Sequence, residues 1–161
     1  MLSLLWIGSF ACYIKGLSSP TLAFAALLLM TLSPFFAASR LRHFRDSARE
    51  GFITFKRGYA YTVMSFFYAG LLMAMAIYVY FEFMDHGYLL SVYSTLMESA
   101  DMKRMLEASG MKEQMMQGLQ DLYEMRPIDY AVNMLTAIIM TGLVLALPIA
   151  AMLQKRVKNE E

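Results

Sequence analysis

The chain has a single cysteine, Cys12, so no intrachain disulfide can form and no thiolate metal cluster can assemble. Charge is missing altogether from three long stretches, Gly16 to Ser39, Gly58 to Phe81 and Tyr130 to Gln154, which are 24, 24 and 25 residues long. The Walker loop, the dinucleotide fingerprint, the zinc-protease helix and the Ser nucleophile elbow are all absent, which removes the chemistries those motifs serve. No Lys or Arg precedes the first apolar stretch. The N-terminus is therefore expected to be a retained helix, since a cleaved signal peptide usually opens on a basic region.

What remains is strongly apolar. Residues of the apolar types make up 58% of the 161 positions, against about 45–50% in soluble domains. A water-soluble domain of this size exposes too much surface to hide that excess in one core, and lipid accommodates it. A bilayer core of roughly 30 Å needs about 20 apolar residues as helix, a length each charge-free stretch meets. The 14 charge-free residues from Met1 to Ile14 rise only about 21 Å as a helix. They span with local thinning, or with Lys15 snorkelling to the interface. The expected fold is an all-α integral membrane protein, a single membrane domain over residues 1–161. Its four spans fall near 1–17, 20–38, 55–83 and 127–153, and an extracytoplasmic helical hairpin occupies about 86–126 between the third and the fourth.

Local signals place the ends. Ser19 and Pro20 read as the N-cap and first residue of the second span, and Pro34 is expected to kink it. Leu41, Phe44 and Ala48 recur at helical spacing, which predicts a separate short helix lying on the headgroups until Gly51 breaks it. Thr54 can cap the third span, and Pro127, with Asp129 in the first turn, opens the fourth. From Ser39 to Arg57, six bases (Arg40, Arg42, Arg45, Arg49, Lys56, Arg57) face two acids, a net of +4. From Asp85 to Asp129, eight acids face four bases, a net of −4. Counting Lys and Arg puts the basic loop, the tail with Lys155, Arg156 and Lys158, and hence both termini, in the cytoplasm.

The outer segment reads as two helices, about 88–108 and 111–125, parted by Ser109 and Gly110 as a left-handed C-cap. Leu89, Tyr93, Leu96 and Ala100 form an apolar stripe on the first, and Met111, Met115, Leu119 and Leu122 one on the second. Facing stripes predict a two-helix hairpin. A connection this long is more than a linker. The hairpin is expected to fold over the outer mouth of the bundle and to present Met116, Leu119 and Tyr123 to a partner or to a second copy of the chain.

The basic phrase HFRDSAREGFITFKRGYAY, the outer phrase MLEASGMKEQMMQGLQDLYEM and the basic tail resemble a family of short bacterial four-span membrane proteins catalogued only as a domain of unknown function. The resemblance covers roughly residues 37–158. It implies a multi-pass protein of the bacterial inner membrane and supplies no catalytic residues.

The remaining constellations are few. Glu82, Asp85 and His86 stand at i, i+3 and i+4, a spacing that on a helix could hold a divalent cation or relay a proton; the plainer reading is that they mark where the third span leaves lipid. Met102 and Met105 are soft ligands three apart, and equally ordinary packing residues. Gly70 and Ala74, and Gly142, Ala146 and Ala150, repeat at intervals of four, the spacing that lets helices approach closely in lipid. Pro34 and Pro148 each free a carbonyl, yet the central parts of the spans carry no ionisable acid or base, which argues against transport. The expected function is that of a noncatalytic accessory or scaffold subunit of an inner-membrane assembly. Membrane lipids and a protein partner or self-association through the hairpin are its partners, with no enzyme activity, cofactor, metal or nucleic acid. The alternative is a small oligomeric transporter or channel.

Overall fold

The computed structural model describes residues 2–17, 19–48 and 50–155. Arg49 of the basic loop, Arg156 and Lys158 of the tail, and Met1 lie outside the described residues. Seven helices occur among them: α1 (Leu2–Gly16), α2 (Pro20–Ala48), α3 (Phe55–Phe83), α4 (Tyr88–Glu98), α5 (Ala100–Ser109), α6 (Lys112–Glu124) and α7 (Pro127–Leu153). Three of them, α2, α3 and α7, are long and apolar enough to cross a membrane, while α1 is a shorter apolar helix. The chain divides into two compact units, Met1–Ala76 with Val132–Glu161, and Ile77–Ala131.

In the first unit, α1 returns along α2. Gly16 makes the tight approach, since a Cβ there would lie 2.5 Å from the Ala23 nitrogen. Further along, the Ser9 hydroxyl donates to the Ala26 carbonyl (2.9 Å) and the Trp6 indole donates to the Ser33 hydroxyl (2.7 Å). These bonds satisfy the buried Trp6, Ser9 and Ser33 side chains, which in an apolar setting would otherwise cost several kcal/mol each.

The second helix departs from expectation. It runs unbroken from Pro20 through Pro34 to Ala48, so the basic stretch is a continuation of the span and not a separate helix at the headgroups. Nothing between Pro34 and Ala48 is Gly or Pro, and the buried positions Ser33, Ala37, Leu41 and Arg45 repeat by four along one face, so packing carries the helix onward. It ends where Glu50 (φ 50°) and Gly51 (φ 86°) turn left-handed, with the Gly51 N–H donating to the Arg45 carbonyl (3.0 Å). The core of this unit is Leu41, Thr62, Phe66, Ala146 and Ala150.

The second unit holds α4, α5 and α6, one helix more than the sequence predicts. The extra boundary is Ser99, whose extended backbone ends α4 and whose hydroxyl accepts from the Met102 N–H (3.4 Å) to cap α5. Ser followed by Asp101 in the first turn is an N-cap signal that the longer apolar periodicity overrode. Gly110 adopts the left-handed conformation (φ 67°), and the Met111 N–H donates to the Leu106 carbonyl (3.2 Å), the paired geometry that closes helices at glycine. The predicted stripes meet only in part. Leu89 is buried and Leu119 and Leu122 are half-buried, but Leu96, Ala100, Met111 and Met115 are exposed. The interior centres instead on Leu106 of α5, and α6 buries no residue at all.

Candidate functional site

The three residues weighed as a cation or proton site do not share a helix face. Helix α3 stops at Phe83, and His86 sits at a left-handed φ of 45° with its Nδ1 3.1 Å from the Met84 carbonyl. Glu82 and His86 are exposed, whereas Asp85 is buried. The Asp85 carboxylate accepts the Leu89 N–H at the start of α4 (3.3 Å) and bonds the Tyr80 phenol, so it orders the turn between α3 and α4. No group of three or more His, Cys, Asp or Glu that could hold a metal ion occurs among the described residues.

Beside that turn, Phe81 and Tyr130 stack at 4.1 Å with ring planes 11° apart, and the Tyr130 hydroxyl donates to the Leu122 carbonyl (2.7 Å). One side chain thus ties the last turn of α6 to the beginning of α7. Arg126 folds onto Asp129 through both its backbone and its guanidinium, and the carboxylate raises the Arg126 pKa.

The three short helices leave a cleft of about 260 Å³ between them. Its apolar surface comes from Met97 on α4, Leu106 on α5, and Met116 and Leu119 on α6. Ser94, Glu98, Lys103 and Lys112 supply its polar margin. Of the three residues expected to contact a partner, Met116 and Leu119 line this cleft, while Tyr123 stands outside it, 57% exposed.

In the first unit the small residues of the two repeats occupy close helix approaches. A Cβ on Gly142 would lie 2.7 Å from the Phe66 Cβ, and one on Gly70 would lie 2.8 Å from the Ile138 Cγ2. Ala146 and Ala150 are fully enclosed, and Ala74 is buried. Gly58 joins them, twelve residues before Gly70 and so in register with the repeat of four; a Cβ there would lie 3.6 Å from the Ala150 and Leu41 side chains.

Arg45 is the functional-looking residue that sequence reasoning passed over among its basic neighbours. It is 8% exposed. Its Nε donates to Asp46 (2.7 Å) and its Nη1 to the Leu153 carbonyl at the end of α7 (3.2 Å). Alongside, Ile53 and Lys155 exchange two backbone hydrogen bonds of 2.9 Å. A cation on the last carbonyls of a helix satisfies orphan acceptors and complements the helix dipole. The available signal was register, because Arg45 continues the buried run Ser33, Ala37, Leu41 at the same interval.

A family model described as "Protein of unknown function (DUF4199)" matches residues 1–155. The chain belongs to this family. The match takes in α1 and the first part of α2 as well as the region from residue 37 onward that carries the resemblance in the sequence. No curated protein and no solved structure matches the DUF4199 chain. The membership accords with the apolar helices and names no reaction.

Proposed function

We propose that this DUF4199 protein is a noncatalytic accessory or scaffold subunit of a bacterial inner-membrane assembly. It inserts α1, the apolar part of α2, α3 and α7, keeps both termini in the cytoplasm, and holds α4–α6 outside as the contact surface. The observation that carries the reading is α6. It buries none of its residues: Met115, Met116 and Tyr123 are exposed on it, and Met111 is exposed at its N-cap. Apolar area of that kind marks an interaction surface more often than an idle one, and Met is suited to adapt to a partner.

Transport has less support. The Thr62 hydroxyl donates to the Gly58 carbonyl and the Thr136 hydroxyl to the Val132 carbonyl, both within their own helices. Neither offers its hydrogen to a passing ion.

The test has two parts. In a Cys12→Ser background, a cysteine at Ser47 is expected to stay shielded from an impermeant thiol reagent in whole cells, and one at Ser109 to react; the opposite pattern inverts the topology. Native mass spectrometry of the protein from its own membranes in mild detergent is then expected to show a second polypeptide at fixed ratio. That polypeptide is lost when Met116, Leu119 and Tyr123 are together replaced by Ser, with insertion and melting unchanged. A homo-oligomer that supports flux in liposomes would overturn the subunit reading.

A further inference from the structure

Two ion pairs form among the described charges of the second unit. Lys112 lies 3.1 Å from Glu107, and Arg126 lies 3.1 Å from Asp129. Glu98 and Lys103 belong to neither pair. They carry opposite charges and border the same cleft, yet they form no ion pair with each other or with any other described residue. They share the cleft with Lys112 and with the apolar surface of Met97, Leu106, Met116 and Leu119.

We propose that this cleft binds one zwitterionic aminophospholipid from the adjoining leaflet. Its phosphate is held by Lys103 and Lys112, its ammonium group by Glu98, and a segment of one acyl chain by the Met and Leu side chains. The choice follows from charge. A purely anionic amphiphile would set its charge beside Glu98, and a purely apolar one would leave Glu98 and Lys103 unmatched. A zwitterion answers both. The exposed Lys112–Glu107 pair, with side chains 53% and 60% accessible, is the weak kind that can be exchanged for a phosphate. The volume of about 260 Å³ lies just below the range of about 300–1,000 Å³ usual for small-molecule sites, which suits part of one chain. Supply is local, since α4 begins at Tyr88, five residues after α3 ends at Phe83. Methionine on two of the walls suits a flexible hydrocarbon. The inference rests on the membrane reading above and does not depend on the protein partner.

The experiment uses the full chain in nanodiscs of phosphatidylglycerol carrying a trace of a photoactivatable lipid, with a diazirine in the acyl chain and either an ethanolamine or a glycerol headgroup. After irradiation, the ethanolamine probe is expected to label peptides of α4–α6, including Met97 and Met116, about fivefold more than the glycerol probe, the scale of one favourable exposed ion contact. Glu98→Gln with Lys103→Gln should erase that difference while leaving labelling of α2, α3 and α7 unchanged. Both positions are at the surface, so the double variant keeps the packing around Leu106. Equal labelling by the two probes, an unaltered preference in the double variant, or label confined to the long helices would each overturn the proposal. A chain that fails the cysteine topology test fails the membrane reading; one that passes it and shows no headgroup preference fails this inference alone.

Discussion

Alanine at Gly142 gives the sharpest test of how the long helices pack. The substitution adds one methyl group in the middle of α7, and its carbon would lie 2.7 Å from Cβ and 2.9 Å from Cγ of Phe66. Real Cβ contacts do not come so close, and the atoms in the way are the root of a side chain that is only 2% exposed. Phe66 cannot swing aside, because Trp6 packs against its ring at 5.5 Å. The helices must therefore separate, and overpacking of this kind costs about 1–3 kcal/mol. Against that, replacing Gly by Ala inside a helix gains about 1 kcal/mol of propensity. The expected net loss is about 1 kcal/mol.

Gly58→Ala is the internal control. Its added carbon would meet Ala150 and Leu41 at 3.6 Å, ordinary contact, so the propensity gain of up to about 1 kcal/mol should stand. The two variants then differ by about 2 kcal/mol, or about 4–8 °C in melting temperature for a chain of this size. Gly70→Ala should fall between them, because the nearest obstacles, at 2.8 and 3.3 Å, are the ends of the Ile138 and Leu135 side chains. Thermal melts in one detergent, followed by emission of Trp6, the only tryptophan, give the ranking. If Gly142→Ala melts at or above Gly58→Ala, the close approach of α3 and α7 at Phe66 is wrong.

Arg45→Ala should lower stability by about 1.5–3 kcal/mol, the value of a charge-assisted hydrogen bond to a buried carbonyl, and should speed hydrogen exchange at Ile53 and Lys155. Arg45→Lys should recover little of this, since one ammonium group lacks the planar fork that reaches Asp46 and Leu153 at once; full rescue by Lys would refute the assignment. Tyr130→Phe removes the bond to the Leu122 carbonyl but keeps the stack on Phe81. It should cost about 1 kcal/mol and increase limited proteolysis within α6 while α4 and α5 stay protected; unchanged cleavage would show that α6 is held by other contacts.

Much of this molecule was written locally. The three charge-free runs determine α2, α3 and α7, because backbone groups in an apolar chain of that length are satisfied only by their own helix. Pro20 and Pro127 mark where α2 and α7 begin, and Gly110 where α5 ends, through fixed or left-handed φ, which is a property of single residues. Where sequence reasoning erred, two local signals competed. Basic composition from Arg40 onward suggested a change of environment, but an uninterrupted buried face held α2 straight through to Ala48. Apolar periodicity ran across Ser99, but the capping hydroxyl there split α4 from α5. The remaining features exist only in three dimensions. Nothing in the spacing of Arg45 and Leu153, 108 positions apart, announces that one caps the other. Nor does composition show that Glu98 and Lys103 border one cleft without pairing, because that depends on how α4, α5 and α6 meet around Leu106. Propensity and hydropathy act over a turn or two of helix, whereas which charges are left unpaired is decided by how whole helices pack on one another.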